Sequence, residues 1–124
     1  MKRVLDIGNC GPDHASITRF MTAHFDCEVE QANKADDAIA KLEAGNFDLA
    51  VVNRKLDIDY SDGIEVIKQI KANPATSGVP VMLITNYPEH QDAAEAEGAV
   101  RGFGKLEFDK PEIVDRVRAV LSPA

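Results

Sequence analysis

Short apolar runs alternate five times with segments of helical spacing, and this alternation leaves few folds open to the chain. Runs rich in β-branched and aliphatic residues occupy roughly Arg3 to Ile7, Cys27 to Gln31, Phe47 to Val52, Val79 to Ile84 and Val100 to Phe103, and each has the length of a strand. Between and after them, apolar residues recur at helical intervals: Ile17, Phe20, Met21 and His24; Ala35, Ala38, Ile39 and Leu42; Ile64, Ile67 and Ile70; Ile113, Val114, Val117 and Leu121. The segment Glu89 to Glu97 is alanine-rich and only weakly amphipathic, and it is read as the fourth of five helices. Asn86 with Pro88 and Glu89, and Asp109 with Pro111 and Glu112, have the order of an N-cap, an early proline and a first-turn acid. Gly45 and Gly98 stand where helices should stop.

Strand followed by helix, repeated, predicts a parallel sheet, because parallel neighbours need a crossover and the crossover covers a face of the sheet. The strands differ in kind. "LAVV" and "VMLI" are continuously apolar, as strands buried on both faces are, whereas "CEVEQ" alternates apolar with acidic and fits an edge. "VRGFG", short and broken by glycine, fits the other edge. The prediction is an α/β fold: a three-layer α/β/α sandwich around a five-stranded parallel sheet of order 2-1-3-4-5, the flavodoxin-like arrangement. With 124 residues the expectation is a single domain over 1–124, long enough to bury roughly two-thirds of its unfolded surface.

Charge narrows the function classes. The chain has 14 Lys and Arg against 21 Asp and Glu, a formal net charge of −7, and it shows no local basic patch. Direct binding to nucleic acid or to an anionic membrane is therefore not expected. Its apolar runs are too short to cross a bilayer, and "MKRVLDIG" has no long apolar stretch of a secretory signal, so a cytoplasmic location is expected. Cys10 and Cys27 match neither a disulfide framework nor a metal spacing, and His14, His24 and His90 show no zinc pattern with them. No metal site is expected.

In a sheet of this order, function gathers at the carboxyl ends of the central strands. Those ends carry Gly8, Asn9 and Cys10 after the first strand, Asn53 after the third, Thr85 and Asn86 after the fourth, and Lys105 after the fifth. In this register "FDLAVVN", "VPVMLITN" and "GAVRGFGK" give the chain, over essentially its whole length, a resemblance to the CheY-like receiver domain of bacterial two-component response regulators. The resemblance implies phosphoryl transfer to a carboxylate ending the third strand, with Mg²⁺ on an acidic pair after the first strand and a hydroxyl and a lysine holding the phosphoryl oxygens. Here the matching positions are Asn53 for the acceptor, Gly8 and Asn9 for the acidic pair, and Thr85 and Lys105 for the rest of the pocket.

An amide has no anionic oxygen with which to form an acyl phosphate, and neutral amides replace charged Mg²⁺ ligands poorly. The departures therefore imply a degenerate pseudo-receiver: no enzyme, no cofactor, Mg²⁺ binding weak or absent, and a role as a protein-interaction module in phosphorelay signalling. By resemblance its signalling partner is expected on the face of the fourth helix, fifth strand and fifth helix. Leu106 replaces the proline usual after the lysine, Gly102 falls where an aromatic rotor is usual, and Phe103 beside it is expected to point to the opposite face. The stretch "RKLDIDYSDG" is longer than usual before the third helix.

Other readings of the same residues are simpler or rival ones. Asn53 suits a structural hydrogen-bonding role at a strand end, and Thr85 with Asn86 suits a helix start. Lys105 is expected to be solvated at the pocket mouth, or else to reach Asp57 or attract a small anion. Asp57, Asp59 and Asp62 read as a solvated loop, with Asp57 the candidate for a displaced phospho-acceptor. Asp6 interrupts a central strand and must find a donor, reach solvent or be protonated. Cys10 lies near a helix start, where a thiolate is favoured, but an inert, partly buried thiol is the expectation. A flavin-binding protein would share the sheet, yet "GNCGPDHAS" lacks a hydroxyl-rich phosphate cradle.

Overall fold

The computed structural model describes residues 1–108 and 110–121. In chain order its elements are β1 (Lys2–Ile7), α1 (Gly11–His24), β2 (Cys27–Ala32), α2 (Ala35–Ala44), β3 (Leu49–Asn53), α3 (Gly63–Ala72), β4 (Val81–Ile84), α4 (Pro88–Ala96), β5 (Val100–Phe103) and α5 (Pro111–Leu121). The five strands form one sheet of order β2-β1-β3-β4-β5, and every pairing is parallel. The edges are β2 and β5, as the alternating and the glycine-broken runs predict.

Strand periodicity divides the core into two layers. Leu5, Ile7, Ala50, Val52, Val81 and Leu83 face one side, where they meet Ala38 and Leu42 of α2 and Val66, Ile67 and Ile70 of α3. Val4, Leu49, Val51, Met82, Ile84 and Phe103 face the other, against Ile17, Phe20 and Met21 of α1 and Ile113, Val117 and Leu121 of α5. All four residues of β4 are buried, which is why "VMLI" shows no alternation. Burying each such side chain contributes about 1.5–3 kcal/mol. Phe20 closes the second layer by stacking on Phe108, with ring centroids 5.0 Å apart.

Several boundaries shift from the sequence expectation. Phe47 is buried but precedes β3, because Asp48 already pairs with β1: its amide donates to the Arg3 carbonyl at 2.8 Å, and its carboxylate accepts from the Arg3 amide at 2.9 Å. At the other end β3 extends to Asn53, which pairs with Ile84. The start of α4 is a correction. Tyr87, not Asn86, is the N-cap, and Pro88 follows at the first helical position, while the Asn86 side chain accepts from the Leu106 amide at 3.3 Å. Gly45 ends α2 as expected, and Gly98, one residue beyond the cap of α4, turns at φ +99°. The expected cap at Asp109 lies outside the described residues.

Candidate functional site

The carboxyl ends of β1, β3, β4 and β5 bring together the residues singled out at the switch of strand order. Asn53 ends β3 with its amide held in three directions. Its Nδ2 donates to the Lys55 carbonyl at 2.7 Å and, at 3.4 Å, to the Gly8 carbonyl, and its Oδ1 accepts from Lys105 Nζ at 3.4 Å. Two backbone carbonyls thus converge on the nitrogen. A carboxylate in the same place would set oxygen against oxygen on that side, so the site is built around a donor.

Gly8 is fixed by its own geometry. It lies at φ +81°, and a Cβ there would stand 2.3 Å from Cγ of Leu56, a residue with no exposed surface. No side chain fits. Leu56 belongs to the lengthened stretch after β3, so the insertion fills the space beside Gly8 with hydrocarbon. Asn9, 2% exposed, donates from Nδ2 to Asp6 Oδ1 at 2.5 Å, and its Oδ1 is buried without a partner among the described residues.

Asp6 resolves as a buried acid with donors. It is fully enclosed, bonded to Asn9 and, at 2.7 Å, to Nδ1 of His14 on α1. Burial pushes its carboxyl above the ordinary value, against the opposing pull of the Asn9 and His14 hydrogen bonds and the charges of His14 and Lys105. The sequence marks Asp6 as anomalous but does not show that a residue eight positions on reaches back over the strand end to meet it.

Lys105 corrects an expectation. It lines the cleft with its side chain 31% exposed, but it is matched there rather than free, and not by Asp57: its Nζ lies 2.7 Å from Oδ2 of Asp13, in the first turn of α1. That bond holds the Asp13 carboxyl below its usual range. Nothing in the sequence singles out Asp13 as part of this site. A first-turn acid reads as a complement to the helix dipole, and its facing Lys105 depends on how α1 packs beside β5.

Thr85, 7% exposed, accepts from the Tyr87 amide at 3.3 Å and lies 3.3 Å from Nδ1 of His90. Together with Asn53, Arg54, Lys55 and Lys105 it lines a cleft of about 420 Å³. The acidic loop stands apart from this cleft. Asp57 and Asp59 are exposed, Asp59 closes a turn on the Ser61 amide and hydroxyl, and Asp62 caps α3 by accepting from the Ile64 amide at 2.9 Å. Cys10 is the half-buried N-cap residue of α1 and makes no side-chain capping bond.

At Gly102 the register between β4 and β5 shifts, and a Cβ would meet the Leu83 carbonyl oxygen at 2.2 Å. Gln91 of α4 occupies the bulge. Its Nε2 donates to the Leu83 carbonyl at 3.0 Å and the Thr85 carbonyl at 3.3 Å, and its Oε1 accepts from the Gly102 amide at 2.8 Å. Arg116 of α5 donates to the Gly102 carbonyl. Phe103 is fully buried in the α1/α5 layer.

A five-stranded parallel sheet of this order, with a polar cluster where the order reverses, defines a flavodoxin-like fold rather than a particular chemistry. Residues 12–118 match the response regulator receiver domain family, and the chain belongs to that family, whose members are signalling modules of two-component systems that act through other signalling proteins. It is 31% identical over 116 residues to the transcriptional regulatory protein ResD of Bacillus subtilis, covering 90% of this chain and 46% of that protein. The chain thus spans about half the length of that curated relative. Among solved structures, a putative response regulator from Chloroflexus aurantiacus superposes with a TM-score of 0.79 at 20% identity, covering 98% of this chain and 99% of that one. Vibrio cholerae chemotaxis protein CheY4 gives 0.76 at 21%, with 98% and 99% covered.

Proposed function

We propose that this receiver domain is a pseudo-receiver: it is not phosphorylated, catalyses nothing, and works as a constitutive protein-interaction module in two-component signalling. The observation that carries the reading is the Asn53 amide donating to the Lys55 carbonyl at 2.7 Å. The residue at the acceptor position is hydrogen-bonded as a donor, and it offers no nucleophilic oxygen anion for phosphoryl transfer.

The donor set does not fit Mg²⁺ either. A hard divalent cation selects charged oxygens. Gly8 supplies only a backbone carbonyl already used by the Asp57 amide at 2.8 Å, Asn53 turns its NH₂ group toward the same space, and Leu56 fills the volume that a side chain at position 8 would need. The buried, unpartnered Oδ1 of Asn9 is a single neutral donor, too little to hold the ion.

The partner surface we assign is the α4–β5–α5 face. Gln91 and Arg116 join all three elements at Gly102, so the face is presented as one rigid unit with no aromatic rotor to alter it. Arg101 sits on it, 2.9 Å from Asp92 and 2.7 Å from Glu95. We place the chain in the cytoplasm as one functional unit over 1–124, acting without direct contact to nucleic acid or membrane; among the described residues no helix is long and apolar enough to cross a bilayer. Incubation with acetyl phosphate and Mg²⁺ followed by intact-mass measurement tests the reading. The mass should be unchanged, and a stable phosphoryl adduct, above all one mapped to Asp57, overturns it.

A further inference from the structure

We propose that Lys71 is a site of covalent acylation by small acyl thioesters, and that acylation there unpins the loop leading into β4. Lys71 lies half-buried in the last turn of α3. Its stem runs over Gly98, beyond the end of α4, where a Cβ would stand 3.5 Å from Lys71 Cγ. Its Nζ donates to two backbone carbonyls of the loop between α3 and β4, that of Ser77 at 3.1 Å and that of Val79 at 3.0 Å. Among the described residues the other lysines are held differently. Lys68, Lys105 and Lys110 lie within 4.0 Å of carboxylates, and Lys2, Lys34, Lys41 and Lys55 are exposed.

The loop offers Lys71 two acceptors and no negative charge. A neutral amine keeps both bonds with its two hydrogens, and its lone pair then takes the remaining tetrahedral direction, away from both carbonyls. Deprotonation therefore costs neither bond. Burial also pulls the ammonium below its ordinary value, with no charged neighbour to offset it. Lys71 is thus neutral more often near pH 7 than an exposed lysine, and the neutral amine is the nucleophile. In the step, the Nζ lone pair attacks the acyl carbon and a C–N bond forms. The C–S bond breaks, the thiolate leaves with its electron pair, and Nζ gives up one proton to solvent. The amide product is uncharged and has a single N–H, so one of the two loop carbonyls loses its donor. That loss falls at the entry to the sheet, where the next carbonyl, of Pro80, accepts from the Ala50 amide at 2.9 Å.

The inference does not depend on Asn53, so its failure leaves the pseudo-receiver reading standing, and failure of that reading leaves this one standing. The test incubates the full chain at about pH 7.5 with the thioester S-acetyl-N-acetylcysteamine and follows acetylation of each lysine by peptide mass spectrometry, with the α-amino group counted apart. Lys71 should react at least about threefold faster than Lys41. The advantage should narrow as the pH rises toward about 10.4, where an ordinary lysine is itself half deprotonated. Ser77→Asp, which sets a carboxylate at an exposed position of the same loop, should slow Lys71 severalfold and leave Lys41 unchanged. In the acetylated chain the Val79 amide, bonded to the Thr76 carbonyl at 3.0 Å, should exchange its hydrogen faster. A Lys71 rate no higher than that of Lys41, an advantage that persists at high pH, or an unaltered rate in Ser77→Asp overturns the acylation site. Unchanged exchange at Val79 after acetylation overturns the unpinning.

Discussion

Asp6 is the residue on which burial and hydrogen bonding compete most directly. It has no exposed surface, and desolvation raises its carboxyl above 3.8 despite the donors Asn9 and His14. A raised folded value means that the folded state prefers the protonated form. The stability this contributes is full below about pH 4 and is lost as pH rises through the folded value. An asparagine cannot ionise and escapes that loss while still offering a carbonyl to Asn9. Asp6→Asn should therefore match the parent near pH 4 and exceed it by about 1 kcal/mol near pH 7.5 in urea unfolding; a parent that is more stable at both pH values would contradict the burial argument. Asp13 has the opposite sign, with its folded value lowered by Lys105, so its contribution is present above 3.8 and fades in acid. Both proteins share it, and it cancels. At this scale the sequence was informative about identity and poor about partners. Asn53, Gly8, Asn9, Thr85 and Lys105 are all legible as strand-end residues, because strand periodicity fixes where each strand stops. That Lys105 meets Asp13, 92 positions away, and that Leu56 fills the space beside Gly8 follow from tertiary packing and leave no local signal.

The β4–α4–β5 segment shows how an element can be locked by one side chain. Gln91 is 5% exposed and satisfies two carbonyls and one amide at the bulge. Gln91→Leu keeps the volume roughly but strands those backbone groups, and it should cost about 2–3 kcal/mol in denaturant unfolding, with faster hydrogen exchange at the Gly102 amide. Retained protection there would show that the bulge stands without Gln91. Gly102→Ala attacks the same point from the strand, since its Cβ would meet the Leu83 carbonyl. It should lower stability by about 2–4 kcal/mol, and a thermal midpoint within a degree or so of the parent would count against the close approach. The order of the sheet was readable from the contrast between "VMLI" and "CEVEQ", a consequence of burial on two faces or one. The bulge was not. A glycine in a short run reads only as weakness, and which backbone comes within reach of it depends on pairing with a strand that lies about twenty residues earlier in the chain. The cap at Tyr87 was missed for a related reason: Asn86 has the right chemistry for a cap, but its side chain is drawn to the Leu106 amide.

For the molecule as a whole, the difference between a phosphorylatable receiver and an adaptor of the same fold is a matter of linkage. A ligand that binds only the folded state stabilises it by RT ln(1 + [L]/Kd), about 1.4 kcal/mol when the ligand is at ten times its dissociation constant. A receiver with an intact acidic site would gain that from Mg²⁺, and its thermal midpoint would rise with the ion. Here the three positions that would face the ion present a glycine beneath Leu56, an amide committed to Asp6 and an amide turned toward two carbonyls. The chain's net charge of −7 still draws divalent cations diffusely, and screening of that charge alone shifts stability slightly. The decisive comparison is therefore Mg²⁺ against NaCl at matched ionic strength. The two midpoints should coincide within error, and Asn53→Asp alone should not separate them, because Leu56 and Asn9 still deny the ion its other ligands. A midpoint that climbs with Mg²⁺ beyond the NaCl control, in the parent chain, would mean that the cluster gathers an ion which its donor chemistry argues against.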